Sequence, residues 1–370
     1  MKLFFYVQHL LGIGHLRRAA TLARAFRDAG FEVTLASGGM PVKGFEVSVQ
    51  LAPARATDAT FRTLVDEAGR PLDAEWKRAR AARLLEAFRA AAPDVLVVEL
   101  FPFGRRQMRF ELLPLLEDAK RLAHRPLVVC SVRDVIHANP AREAERLELA
   151  LRFFDHVLVH GDPRLVPFER TFAPAARLGE RLRYTGYVVD APPARRVAPS
   201  GEVLVSAGGG AVGARLLATA IEARSVTLLA GATWRVLAGV NASDADLRAL
   251  ERLAAPGVVV ERSRDDFQAL LAAAALSVSQ AGYNTVAEVL RAGVRAVLVP
   301  FAAGAESEQS LRAQLLAERG VAASVNESEL SIENLAVAVD RAVRGPRPSP
   351  ADFDLDGAAE SVRLVKGWLQ

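Results

Sequence analysis

The chain is poor in several features, and each shortage narrows what it can be. Only one cysteine, Cys130, occurs in 370 residues, so no disulfide framework holds the fold and a reducing compartment fits. It ends an apolar run, Pro126 to Ser131, and reads as a buried strand residue without a catalytic role. Aromatic side chains make up 6% and no basic stripe interleaves with them, which argues against nucleic-acid binding. No histidine cluster is present to hold a metal. No apolar run approaches the roughly 20 residues that span a bilayer. The opening MKLFFYVQHLLGIGHLRR has the look of a signal peptide, but Gln8 and His9 break it and no small-residue cleavage site follows. A soluble, cytoplasmic protein is the expectation.

What is present is globular. Hydrophobic residues make up 51% and charged residues 24%, and the length suits two domains of roughly 100–200 residues each. The net charge of +4 is spread along the chain and is almost all arginine, which fits coding bias better than a binding surface. Strand and helix alternate from the start: Leu3–Gln8, His15–Ala29, Phe31–Ala36, Trp76–Ala91, Asp94–Glu99, Met108–Ala123, Leu127–Ser131, Arg142–Arg152 and His156–His160. The strands lack two-residue alternation, as parallel strands buried on both faces do. That pattern predicts a doubly wound α/β sheet.

A connector, DAPPARRVAPSGE, then interrupts the periodicity with three prolines. Beyond it the pattern restarts with strands at Val203–Ala207, Val226–Leu229, Val258–Val260, Leu276–Ser279 and Ala296–Pro300, with helices between them. The expected division is residues 1–190 as one Rossmann-like domain, 191–201 as linker and 202–345 as a second. Residues 346–370 form a tail whose last helix, Ala358–Leu369, can swing back onto the first domain.

Glycine turns mark strand-to-helix junctions, where free backbone N–H groups and the helix dipole attract anions. The first holds Gly12, Gly14 and His15; the second holds Gly208, Gly209 and Gly210. A third, Ser279-Gln280-Ala281-Gly282-Tyr283-Asn284-Thr285, precedes Glu288. Thr285 or Asn284 can cap that helix. Glu288 is then either a capping glutamate or a carboxylate that grips two sugar hydroxyls. A fourth segment, VPFAAGAESEQ, ends in Glu308 and Gln309, which either bond sugar hydroxyls or form a solvated first turn. A dinucleotide reading of the first turn fails. Arg17 stands where a third glycine belongs, and the second strand ends in Ser37-Gly38 with no acid for the ribose.

The stretch SQAGYNTVAEVLRAGVRAVLVPFAAGAESEQSLRAQ resembles the two-domain GT-B glycosyltransferases, closest to the branch that makes lipid II. AGYNTVAE, FPFGRRQMRFELLPLLE and SVRDVI are similar to a group of bacterial glycosyltransferases of unassigned substrate. The resemblance implies two Rossmann-like domains facing across a cleft, with Gly208, Gly209 and Gly210 cradling a donor diphosphate. It implies that Glu288 holds the ribose and that Gly282, Tyr283, Asn284 and Thr285 line the nucleotide cleft. Glu308 and Gln309 fall where relatives read the donor sugar with paired glutamines, so Glu308 points to a sugar other than N-acetylglucosamine. Neither metal nor cofactor is implied.

The reaction expected is transfer of a sugar from a nucleoside diphosphate, UDP first among them, to an acceptor hydroxyl. His15 is the candidate base, with phosphate binding or helix capping as its other reading. Asp134 and Glu99, each at the carboxyl end of a strand, are the candidate acids to orient it. The segment ELFPFGRRQMRF either grips a lipid- or phosphate-bearing acceptor and touches the inner membrane face, or is a buried turn. A nucleotide-sugar hydrolase or epimerase and a non-catalytic sensor are the alternatives.

Overall fold

The computed structural model describes the chain apart from residues 59–60, 62, 193–197, 208–212, 240–241 and 302–307. It divides into two compact units, Met1–Val188 with Asp356–Gln370, and Val189–Leu355.

The first unit is a parallel sheet wrapped by helices. Its elements are β1 (Lys2–Val7), α1 (Gly14–Asp28), β2 (Glu32–Ser37) and β3 (Val49–Gln50), followed by a small antiparallel pair, β4 (Arg55–Ala56) and β5 (Leu64–Val65). Then come α2 (Ala74–Ala91), β6 (Val95–Glu99), α3 (Arg109–Arg121), β7 (Leu127–Arg133), α4 (Glu143–Phe153), β8 (His156–His160) and β9 (Leu182–Tyr184). The sheet order is β3-β2-β1-β6-β7-β8-β9, and every pairing in it is parallel. Strand sequences such as FFYV and VLVVE are buried along their whole length because helices cover both faces. Side chains on the two faces form separate cores, one around Phe4, Leu84 and Phe88 and the other around Phe5, Leu16 and Phe26.

The second unit repeats the plan. It contains β10 (Val203–Ser206), α5 (Ala214–Ala223), β11 (Trp234–Ala238), α6 (Asp244–Leu253), β12 (Val258–Arg262), α7 (Phe267–Ala273) and β13 (Leu276–Ser279). After these follow α8 (Tyr283–Ala292), β14 (Arg295–Leu298), α9 (Glu308–Glu318), β15 (Ala323–Ser324) and α10 (Ile332–Arg344). The order β12-β11-β10-β13-β14-β15 is again all parallel.

One expected strand is wrong. Val226–Leu229 is a turn, with Val226 and Leu228 exposed at 60% and 55%. The strand is β11, a few residues later, whose Trp234 is wholly buried. A run of apolar residues does not itself say which part pairs with β10. The indole decides it, because Trp234 fills the core while its Nε1–H donates to the Leu229 carbonyl at 3.1 Å.

The tail divides differently from the expected boundary at 345. Residues up to Leu355 pack in the second unit, where Arg295 Nε donates to the Gly345 carbonyl at 2.8 Å and Arg291 donates to that of Leu355. The closing helix, α11 (Gly357–Trp368), belongs to the first unit. Val365 joins the core of α1, and Trp368 stacks on His156 with ring centres 3.6 Å apart.

Candidate active site

In an open parallel sheet, segments leaving two neighbouring strands toward opposite faces open a crevice at the carboxyl edge. In the first unit the order reverses between β1 and β6. β1 leads through Gln8–Ile13 into α1, whose N-cap Ile13 supplies no side-chain cap, and β6 ends on Glu99. His15, the second residue of α1, thus meets Glu99, with Nδ1 2.8 Å from Oε1. Arg18, one turn further along the same helix face, donates to that same carboxylate oxygen. Glu99 is wholly buried and Arg18 nearly so, whereas the His15 side chain keeps 14% exposure.

The electrostatics follow from this packing. Burial, helped by Arg105 and Arg133, outweighs the upward pull of Glu99 and holds the His15 imidazole down at about 3. Burial alone would raise the Glu99 carboxyl, but His15, Arg18 and Arg105 outweigh it and hold it well below the carboxylate range. An ionised acid only accepts, so His15 Nδ1 carries the hydrogen and Nε2 presents a lone pair. This is the protonation state a general base requires.

Asp134 is tied down differently. Its carboxylate accepts from Tyr187 Oη at 3.0 Å and from the Val135 N–H at 2.8 Å. Glu99 is the acid that meets His15. The segment from Glu99 to Phe110 is mostly core: Phe101 and Phe103 are 1% exposed and offer nothing to a membrane. Of its arginines, Arg109 pairs with Glu145, while Arg105 Nε donates to the Gln8 carbonyl at 2.8 Å and so stands beside the His15 turn.

The end of β2, where a dinucleotide enzyme keeps its ribose acid, is filled. A Cβ on Gly38 would lie 2.1 Å from Arg80 Nη2 and from Gln8 Oε1, so backbone and buried side chains leave no room there.

In the second unit the order reverses between β10 and β13. Gly208, Gly209 and Gly210 lie outside the described residues. The turn that contains them closes on Gly213, the N-cap of α5, at φ 130°. A Cβ there would sit 2.3 Å from the Ala207 Cβ and 3.5 Å from Gln280 Nε2, so Gly213 stands beside Gln280 of the third glycine turn and has no room for a side chain.

α8 starts earlier than expected. Its N-cap is Gly282, without a side-chain cap, so Asn284 and Thr285 lie inside the helix and cap nothing. Tyr283 is buried beside them. Glu288 is the sixth helical residue, beyond the third position from which a capping glutamate works, and it is 5% exposed. Glu308, 6% exposed, is no solvated first turn either, and Gln309 Oε1 accepts from the Phe301 N–H at 3.1 Å.

Residues 204–352 match the glycosyltransferase family 28 C-terminal domain. The matched residues lie within the second unit. The match begins in β10 and ends shortly before the unit does. The chain is 34% identical over 218 residues to the UDP-N-acetylglucosamine–N-acetylmuramyl-(pentapeptide) pyrophosphoryl-undecaprenol N-acetylglucosamine transferase of Thiobacillus denitrificans, covering 58% of each chain. It therefore spans little more than half the length of that relative. Among solved structures it resembles the glycosyltransferase of kitacinnamycin, with a TM-score of 0.65 at 17% identity over 100% of this chain and 99% of that one. It also resembles MurG of Acinetobacter baumannii, with a TM-score of 0.60 at 18% identity over 99% and 100%. The fold is GT-B, two Rossmann-like domains in one chain.

Two arginines of the two crevices, Arg18 and Arg312, escaped the sequence reading, whereas Arg105 lies in the segment it had singled out. Arg18 and Arg105 surround Glu99. In the second unit, Arg312 is 1% exposed, donates to the Ala281 carbonyl at 3.1 Å and lies over the Tyr283 ring at 5.8 Å, so it clamps the third glycine turn. Spacing was the available signal. Arg18 follows His15 by three residues and Arg312 follows Glu308 by four, each pair on one helix face.

Beneath the first site His160 is wholly buried between Ser131 Oγ at 2.8 Å and Thr185 Oγ1 at 2.9 Å, and burial pushes it down to about 3. It and His15 stay neutral in the fold but bind a proton once unfolded below about pH 6.5. The unfolded state then holds more protons, so stability rises with pH from about 3 to 6.5 and falls on acidification. The melting temperature is expected to drop between pH 7 and pH 4.5, and His160→Gln to make that drop shallower. Equal slopes for the two proteins would remove His160 from this role.

Proposed function

We propose that the chain is a glycosyltransferase that moves a sugar from a UDP-sugar to an acceptor hydroxyl, with inversion and without a metal. The observation that carries this reading is the His15–Glu99 pair at the β1/β6 crevice, in a chain that also has a family 28 domain. The printed name of the Thiobacillus relative specifies UDP-N-acetylglucosamine and a pyrophosphoryl-lipid acceptor. A nucleotide-sugar donor and a lipid- or phosphate-bearing acceptor at the inner membrane face follow by similarity. Arg105 and Arg133 beside His15 suit an acceptor of negative charge.

In this mechanism the acceptor oxygen attacks the anomeric carbon as its proton passes to His15 Nε2. The bond from that carbon to the diphosphate oxygen breaks, and the nucleoside diphosphate leaves with the electron pair. One displacement inverts the anomeric centre. Glu99 stabilises the imidazolium that forms, as the acid of a catalytic triad does. The N–H groups of the turn holding Gly208, Gly209 and Gly210 would stabilise the charge growing on the leaving diphosphate. Glu288 would hold the ribose, with Gly282, Tyr283, Asn284 and Thr285 around the base, and Glu308 and Gln309 would read the sugar.

A thermal-shift series with UDP-, GDP-, ADP- and dTDP-sugars tests the donor site. Stabilisation by UDP or a UDP-sugar is expected, lost in Glu288→Ala because the ribose hydroxyls lose their acceptor. No shift with any of the nucleotides would sink the assignment. Release of UDP at an unchanged rate when water is the only acceptor would identify a hydrolase instead.

A further inference from the structure

We infer that Arg18 is a positioning residue: by sharing one carboxylate oxygen of Glu99 with His15, it makes the buried pair electroneutral without a proton and so keeps His15 as the unprotonated Nδ1–H tautomer. This rests on the reading of His15 as the base.

The argument is one of charge in a confined place. Glu99 is buried at the end of β6, and a lone carboxylate there takes up a proton, on itself or on the imidazole bonded to it. Arg18 removes that need. It is 3% exposed, it stands one turn from His15 on α1, and its guanidinium donates to the oxygen that accepts from Nδ1. The surroundings reinforce the outcome. Arg105, from the segment after β6, and Arg133, at the end of β7, bring positive charge to His15. Cys130 on β7 and His160 on β8, the other titratable groups near Glu99, stay neutral, the thiol because burial pushes it up and the imidazole because burial pushes it down. Among the described residues that act on His15, Glu99 is therefore the acid, and its charge is already matched by Arg18.

Substituting Arg18 leaves the buried Glu99 carboxylate without the guanidinium that bonds it directly, and the His15–Glu99 pair regains that balance by binding one proton. Nitrogen-15 NMR of the histidine rings in the full-length protein reads this directly, with no substrate present. In the wild type the His15 Nδ1 signal is expected to be of the protonated type and Nε2 of the lone-pair type from pH 5 to 9. In Arg18→Met and Arg18→Gln an imidazolium signature, or loss of the Nδ1–H preference, should emerge with a midpoint at least one pH unit higher, a ten-fold gain in proton affinity. Arg18→Lys, which keeps the charge, should restore the wild-type signals. A folded Arg18→Gln protein with unchanged His15 signals and midpoint would overturn the inference. An Nε2–H tautomer in the wild type would do so even if no variant folded. A protein that shows the expected titration yet transfers no sugar from any donor leaves this inference standing and sinks the transferase. Sugar transfer with unchanged ring titration does the reverse.

Discussion

His15→Ala is expected to lower sugar transfer by about 100-fold or more, the usual scale of general acid–base catalysis, while the thermal shift given by UDP persists. The two readouts separate because the proposed base and the proposed nucleotide site belong to different units of the chain. His15 sits on α1 against Glu99 at 2.8 Å, whereas Glu288 and the third glycine turn belong to the second unit. Glu99→Gln should fall in the same direction by a smaller factor. An amide accepts from Nδ1–H through its oxygen but does not stabilise the imidazolium. Assays with a UDP-sugar and a hydroxyl acceptor, run beside the thermal shift, make the comparison. Unaltered transfer by His15→Ala would take it out of the reaction. Loss of the UDP shift in that variant would instead make His15 a donor ligand.

The second large effect is on stability. Arg80 is the most heavily bonded buried cation described in the first unit. Its Nε and Nη2 grip Glu111 at 2.7 and 2.9 Å, Nη1 donates to the Gly38 carbonyl at 2.9 Å and to that of Ala52, and Nη2 reaches Gln8 Oε1. Tyr6 Oη donates to the same Glu111, and both ions are wholly buried side by side under the ends of β1 and β2. Arg80→Met leaves the Glu111 charge in the core without its cation. It also takes a donor from the Ala52 carbonyl, while the Gly38 carbonyl keeps the Ala54 N–H at 3.0 Å. Removing one partner of a buried pair costs about 3–5 kcal/mol. The loss should show as a lower urea midpoint for the transition reported by Trp76 and Trp368, with Trp234 replaced by Phe. The double variant Arg80→Met with Glu111→Leu should recover part of the loss, because no charge then remains buried. A single variant within about 1 kcal/mol of the wild type would show that the pair does not hold this unit together. Because Arg80 also joins Gln8 to the end of β2, the single variant should loosen the turn that carries His15.

How far the sequence could be read differs between the two units' parts. The alternation of strand and helix was legible, since buried parallel strands such as VLVVE have a local signature. A turn at Val226–Leu229 was not, because two apolar runs lie close together and only packing of Trp234 selects the second. The glycine turns were visible as candidate sites. Whether Asn284 capped a helix was not, because the cap depends on where the chain bends after β13, and Gly282 takes that place. Among the candidate acids, Glu99 and Asp134 looked alike in the sequence: each is a carboxylate at the end of a strand.

The amino-acid sequence by itself determined the two α/β units, the junctions where anions can be held, and His15 as the side chain worth testing. Those are local properties, set by hydrophobic periodicity and by glycine beside the first turn of a helix. The tertiary structure decided what lies together at each crevice. Strand order places β1 next to β6 and β10 next to β13, and so joins His15 to a carboxylate 84 residues away. It also buried Arg18, Arg80 and Arg312 where their charges must be matched, which no local pattern states, since a buried ion is permitted only by the particular partners that the fold brings to it.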